Sequence, residues 1–170
     1  MNELFKDIDV FENLREVGVW REDILKIVVD AQRPYYDYMS DRELTSIFGL
    51  VLDDLVKYHD VKIAVYVALM LDKLAEQNAG RDNAIIKLMV SDAPEYGLDE
   101  HLALMITNHG GTIASTNFGH VDKVKAGIIG AIDDLGKDSD ETTVTTHLDD
   151  IVGALASTTM GLATAYLNKY

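Results

Sequence analysis

"HLDDIVGALASTTMGLATAYLNKY", residues 147–170, sets the architecture of this chain. From Ile151 to Leu167 it runs 17 residues without a charge, yet two adjacent aspartates, Asp149 and Asp150, stand at its head. The run falls short of the roughly 20 apolar residues that cross a bilayer. It also holds Ser157, Thr158, Thr159 and Thr164, so it reads as the buried C-terminal helix of a bundle rather than a membrane span. Gly153, Ser157, Gly161 and Ala165 recur with a period of four and give one side a stripe of small residues, along which another helix can approach closely.

Helical periodicity extends upstream over nearly all of the chain. It predicts helices over about Leu4–Val17, Arg21–Gln32, a stretch opened by a capping box at Ser40 and Glu43, Val61–Gln77, Asn83–Val90, Leu98–Asn108 and Val121–Leu135. "GTIASTNFG" (111–119) reads as a turn-rich connection, and the acidic, Thr-rich "GKDSDETTVTT" (136–146) as a loop. With 170 residues and no linker or repeat, the expectation is one all-α domain, a bundle of about seven to eight helices. The motif-bearing half is about 95–170. Trp20, Tyr35 and Tyr36 read as packing groups.

The formal net charge is −14. Such a chain repels phosphate backbones and shows no basic stripe, so nucleic acid is not an expected partner. Contact with an anionic membrane is at most peripheral for the same reason. A phosphate-bearing substrate would need a cation to bridge it to the protein. There is no cysteine, which rules out disulfides and thiolate-held zinc. The charged start "MNELFKDIDVFENLREVG" has no apolar signal core, and the expected location is cytoplasmic. Apolar and Tyr-rich helix faces make a homo-oligomer possible.

Carboxylates recur at helix starts in the C-terminal half. In the sixth helix Leu98, Leu102, Met105 and Ile106 form the expected buried stripe, with Asp99 at its margin and Glu100 about 100° further round. A carboxylate against an apolar face is costly unless paired or bound to metal, although acids at a helix N-terminus also simply complement its dipole. Thr146 and Asp149 have capping-box spacing, which accounts for one aspartate of the pair and leaves Asp150 without a role. Asp122 precedes Lys123 and Lys125, either of which could neutralise a phosphate oxygen. Hard cations such as Mg²⁺ take oxygen ligands of this kind. The five histidines share no metal-ligand spacing, though His101 and His147 lie beside the acidic pairs.

"YGLDEHLALMI", "STNFGHVDKVKAGIIG" and "THLDDIVGALAS", in that order, resemble the phosphatidylglycerophosphatase A family, and its branch without membrane spans most of all. "DAQRPYYDY" and "IAVYVALMLDKLAEQ" extend the likeness to most of the chain from about Arg21. The resemblance implies an all-helical, Mg²⁺-dependent phosphatase that converts phosphatidylglycerophosphate to phosphatidylglycerol. It places the family's D-E pair on Asp99 and Glu100, its F-x-x-x-D-x-x-K element on Phe118, Asp122 and Lys125, and its D-D pair on Asp149 and Asp150. It implies metal ligation by Glu100, Asp149 and Asp150, catalytic roles for Asp99, Asp122 and Lys125, and substrate contacts from Lys123, Asn117 and Arg33. Membrane-embedded relatives carry an arginine where Gly119 stands and a proline where Ala126 stands. The alternatives are a non-catalytic protein that keeps the metal site for structure or ligand binding, or a phosphatase of soluble monoesters.

Overall fold

Helix-forming sequence, punctuated by caps, gives a chain whose described residues, 8–137 and 143–167 of this computed structural model, are arranged as α1 (Val10–Glu16), α2 (Arg21–Gln32), α3 (Asp41–Leu55), α4 (His59–Asn78), α5 (Ala84–Val90), α6 (Leu98–Thr107), α7 (Gly111–Val124), α8 (Ile128–Lys137) and α9 (Leu148–Leu167). Asp9 caps α1, Asn83 caps α5, and Ser40 with Glu43 forms the predicted capping box of α3. The all-α bundle agrees with the sequence pattern.

Every residue of α9 from Leu148 to Gly161 is buried, and α2, α3, α4, α6, α7 and α8 all pack against this helix. The threonine hydroxyls of this buried helix are satisfied internally, whereas Ser157 Oγ is buried without a hydrogen-bond partner. Thr158, Thr159 and Thr164 donate to the carbonyls of Ala154, Leu155 and Met160, one turn back, at 2.6, 2.8 and 2.9 Å.

The small-residue stripe is where α7 lies. A Cβ on Gly161 would sit 3.1 Å from the Cβ and N of Ala114 and from the carbonyl oxygen of Gly110, and one on Gly153 would touch the Phe118 ring at 3.5 Å. The pairing 161 with 114 and 153 with 118 makes the two helices antiparallel. One turn beyond Phe118, the same alignment carries Asp122 and Lys125 toward the first turn of α9. Ala165, the last residue of the stripe, is exposed.

Several expectations are corrected. "GTIASTNFG" is not a connection but the start of α7, which follows α6 after a single 3-10 turn, Asn108–Gly110. Its Ser, Thr and Asn residues have weak helix propensity, and packing of Ala114, Phe118 and Val121 on α9 overrides it. The continuous helix predicted over Val121–Leu135 is broken at Lys125, whose left-handed backbone (φ 49°) ends α7. The chain then turns so tightly that a side chain on Gly130 would run into the Lys125 carbonyl. On α6 the buried residues are Asp99, Leu102, Ala103, Ile106 and Thr107, while Leu98 and Met105 are exposed. The helix is rotated from its apolar stripe because small Ala103 and Thr107 permit close packing, which turns Asp99 inward. Trp20 and Tyr35 are exposed; of the three aromatics expected to pack, only Tyr36 is buried. Part of the first predicted helix (4–7) and of the loop (138–142) lies outside the described residues.

Candidate metal centre

The site starts with how α9 begins. Asp72, in the middle of α4, shares a helix face with the buried Val61, Ala64, Val65, Ala68 and Ala75. Its carboxylate accepts from the backbone N–H of His147 (3.2 Å) and of Leu148 (3.1 Å) and meets His147 Nδ1 at 2.6 Å. An acid from another helix thus caps α9. The capping box predicted from Thr146 and Asp149 does not form, because α9 starts at Leu148 and Thr146 lies one residue too early to cap it; its hydroxyl donates instead to the Met89 carbonyl at 2.5 Å. Val144 N–H donates to Glu76 and the Thr145 hydroxyl to the Ile132 carbonyl, so the entering strap is pinned residue by residue. Burial pushes the Asp72 carboxyl up, against the lowering effect of His147.

Relieved of capping, Asp149 faces Lys125 Nζ at 2.5 Å. The same ammonium reaches Asp122 at 2.7 Å and lies 3.8 Å from Asp133. A non-glycine residue in the left-handed region costs about 1 kcal/mol, and such strain concentrates at functional sites. Here the strained backbone directs the amine inward. Burial of the ammonium is outweighed by Asp122 and Asp149, which hold its pKa above the ordinary lysine value.

Asp150 is the centre of the arrangement. One of its carboxylate oxygens lies with oxygens of Asp99 and Glu100, all within 4.8 Å of one another, and a second such group joins it to Asp122 and Asp149. Burial, with repulsion from Asp149, Asp122 and Asp99, pushes the Asp150 carboxyl up to about 9. Burial and Glu100 raise Asp99 to about 7. Asp149, buried but facing Lys125, is raised to about 6.

These residues fit a hard divalent cation. Oxygens bound to one such ion at about 2.1–2.5 Å are at most about 4–5 Å apart, the spread seen here. Asp99 is 8% exposed, and its Oδ1 is buried without a hydrogen-bond partner. A buried carboxylate oxygen without a donor is expensive, and a cation removes the expense. The two acidic groups are not equivalent: Lys125 neutralises the Asp122/Asp149 side, while among the described residues no ammonium forms an ion pair with Asp99, Glu100 or Asp150.

The other sequence candidates lie elsewhere or at the margin. Lys123 is exposed in the last turn of α7, and Asn117 is half-buried on that helix. The Arg33 guanidinium is engaged locally, donating to the carbonyls of Tyr36 (3.1 Å) and Met39 (2.5 Å) and pairing with Asp41 at 2.8 Å, which closes the turn from α2 to α3. Sequence reasoning missed Asp72, Asp92, Asp133 and Tyr96. Asp72 was detectable, since it repeats with Val65, Ala68 and Ala75 on an apolar face. Asp92, left-handed at φ 47°, has a carboxyl pushed up by burial and drawn back by Lys125, and nothing in the local sequence marks it.

The geometry has counterparts. The chain is 36% identical over 160 residues to the uncharacterized protein YpjQ of Bacillus subtilis, covering 92% of this chain and 82% of that one. A protein of unknown function from Bacillus stearothermophilus superposes with a TM-score of 0.80 at 31% identity, over 92% of this chain and 96% of its own. The low temperature requirement C protein of Listeria monocytogenes gives 0.80 at 32% identity, over 93% and 94%. The sequence profile of phosphatidylglycerophosphatase A matches residues 39–165, a span that includes Asp72, the acidic pairs on α6 and α9, and the Asp122–Lys125 turn. The chain belongs to the phosphatidylglycerophosphatase A family.

Proposed function

We propose that this protein is a Mg²⁺-dependent phosphomonoesterase that removes the terminal phosphate of phosphatidylglycerophosphate. The observation that carries the reading is the orphaned, buried Oδ1 of Asp99 in a group of three carboxylates, with Glu100 and Asp150, compact enough to share one ion. A terminal phosphate is strongly anionic and the chain has a net charge of −14, so substrate and protein need a cation between them. When bound, Mg²⁺ supplies Lewis acidity toward the phosphoryl group and the attacking water.

The chain's own residues do the rest. Asp99, Glu100 and Asp150 hold the ion. Lys125, steadied between Asp122 and Asp149, offsets charge on the phosphoryl oxygens as the glycerol oxygen leaves. Asp122, half-buried beside Lys125, accepts the proton of the attacking water. No helix among the described residues is long and apolar enough to cross a membrane.

Phosphate release from phosphatidylglycerophosphate in detergent micelles tests the reading. The wild type should turn over with Mg²⁺ and stop with EDTA, and Asp150→Asn should be inactive in both. Equal rates in all conditions refute it. One observation favours a second reading, a metal-binding protein without this activity. Gly119 replaces the arginine of membrane-embedded relatives although the space beside it is open, so packing does not impose the loss of that phosphate contact. Mg²⁺ binding with no turnover on any phosphate ester would select it.

A further inference from the structure

The acidic group that would hold the ion is assembled from two segments far apart in sequence, Asp99 and Glu100 opening α6 and Asp150 opening α9. Mutually repelling carboxylates do not hold their own spacing; the packing of α6 on α9 brings the two openings close, and the links at those openings set the fine separation. One buried hydrogen-bonded chain ties the two openings together. Asp72 accepts from two backbone N–H groups at the head of α9 and from His147 Nδ1. With Nδ1 turned to Asp72, Nε2 lies at hydrogen-bond distance, 3.0 Å, from the Tyr96 hydroxyl. The Tyr96 ring stands edge-on to the imidazole at 5.3 Å and 89°. His147 is fully buried. Tyr96 precedes the first residue of α6 by two positions and His147 immediately precedes that of α9, so this link ties the two openings together beside the direct packing of α6 on α9. None of the three residues is needed as a ligand.

We propose that Tyr96 and His147, anchored on Asp72, are positioning residues that fix the separation of the α6 and α9 carboxylates and so set the affinity for the ion. The proposal rests on the metal reading above. Residues that orient metal ligands typically contribute about 10–100-fold in affinity. A link acting through backbone placement belongs at the low end.

Mn²⁺ binding by calorimetry is the test, on wild type, Tyr96→Phe, His147→Asn and the double variant. Tyr96→Phe keeps the ring and loses only the hydroxyl. His147→Asn keeps a donor for Asp72 and loses Nε2. Each single variant should bind Mn²⁺ about 10-fold more weakly, and the double no more weakly than either, because both break one link. Thermal unfolding of metal-free Tyr96→Phe should shift by only about 2–4 °C, which separates placement from general loss of fold. Unchanged affinity in a folded Tyr96→Phe, or additive losses in the double variant, would overturn the proposal. A wild type that binds no Mn²⁺ overturns the metal reading itself, and the proposal with it.

Discussion

Replacing Asp150 by asparagine should make the metal-free protein more stable while abolishing its response to Mg²⁺. The folded Asp150 carboxyl is raised from its ordinary 3.8 to about 9, chiefly by burial and then by its acidic neighbours. Between about pH 4 and about pH 9 the folded group keeps a proton that the unfolded one has released. The unfolded state then holds fewer protons, and stability falls as pH rises through that window. At about pH 7 roughly three units of the shift are expressed, which at about 1.4 kcal/mol per unit costs the fold up to about 4 kcal/mol. Asparagine removes that cost but must satisfy its own buried amide, which takes back about 1–2 kcal/mol. The net gain of about 2–3 kcal/mol corresponds to roughly 5–10 °C in a chain of this size. Thermal unfolding by circular dichroism at about pH 5 and about pH 8 supplies the measurement, with EDTA and with Mg²⁺. In EDTA the wild type should lose stability with rising pH, and Asp150→Asn should lie above it with a flatter profile. With Mg²⁺ at about 100 times its Kd the wild type should gain about 2.7 kcal/mol and the variant far less. An asparagine variant at or below the wild type in EDTA at the higher pH would refute the account of Asp150 as an uncompensated buried acid.

Three further outcomes follow from the same geometry. Lys125→Met should lower phosphate release about 10²-fold or more, as loss of a group that stabilises transition-state charge does, while calorimetric Mg²⁺ binding persists. Gly161→Leu forces a side chain where even a Cβ would sit 3.1 Å from Ala114 and Gly110. It should cost about 1–3 kcal/mol by overpacking, measured by urea unfolding. Gly119→Ala, on an exposed position of α7 with open space beside it, should stabilise by up to about 1 kcal/mol in the same assay.

The fold was largely legible because burial leaves a periodic record. Ile151 to Leu167 announced a central helix, and the period-four stripe from Gly153 to Gly161 announced a close neighbour without saying which one. Where tertiary contacts overrode local preference, the pattern misled. The Ser, Thr and Asn residues of α7 suggested turns, and they are helical only because Phe118 and Ala114 dock on α9. Lys125 looked like the interior of a helix, since the left-handed residue that ends α7 is not glycine and carries no signal of its conformation. At the site, adjacent pairs such as Asp99/Glu100 and Asp149/Asp150 stood out, whereas lone acids brought in by packing did not. Asp72 broke an apolar face and was readable in principle. Asp133 and Asp92 became relevant only once α8 and the turn after α5 were placed beside Lys125.

The two aspartates at the head of an otherwise uncharged helix divide their labour because a third acid does the work expected of one of them. The start of a buried helix has unpaired N–H donors that must be satisfied. Had Asp149 met them, as its spacing suggested, Lys125 would have been left with Asp122 and the more distant Asp133, and Asp150 would have had one neighbour fewer. Asp72 reaches across from α4 and takes the donors of His147 and Leu148. Asp149 is then free to fix Lys125, and Asp150 stands between that ammonium-bearing group and the unneutralised pair on α6. One side of Asp150 therefore carries a permanent cation supplied by the chain, and the other presents carboxylates that pair with no cation among the described residues. On the proposed reading, a phosphate arriving at such a boundary would meet the lysine on one side and a divalent ion on the other, an arrangement that no single helix of this protein could build.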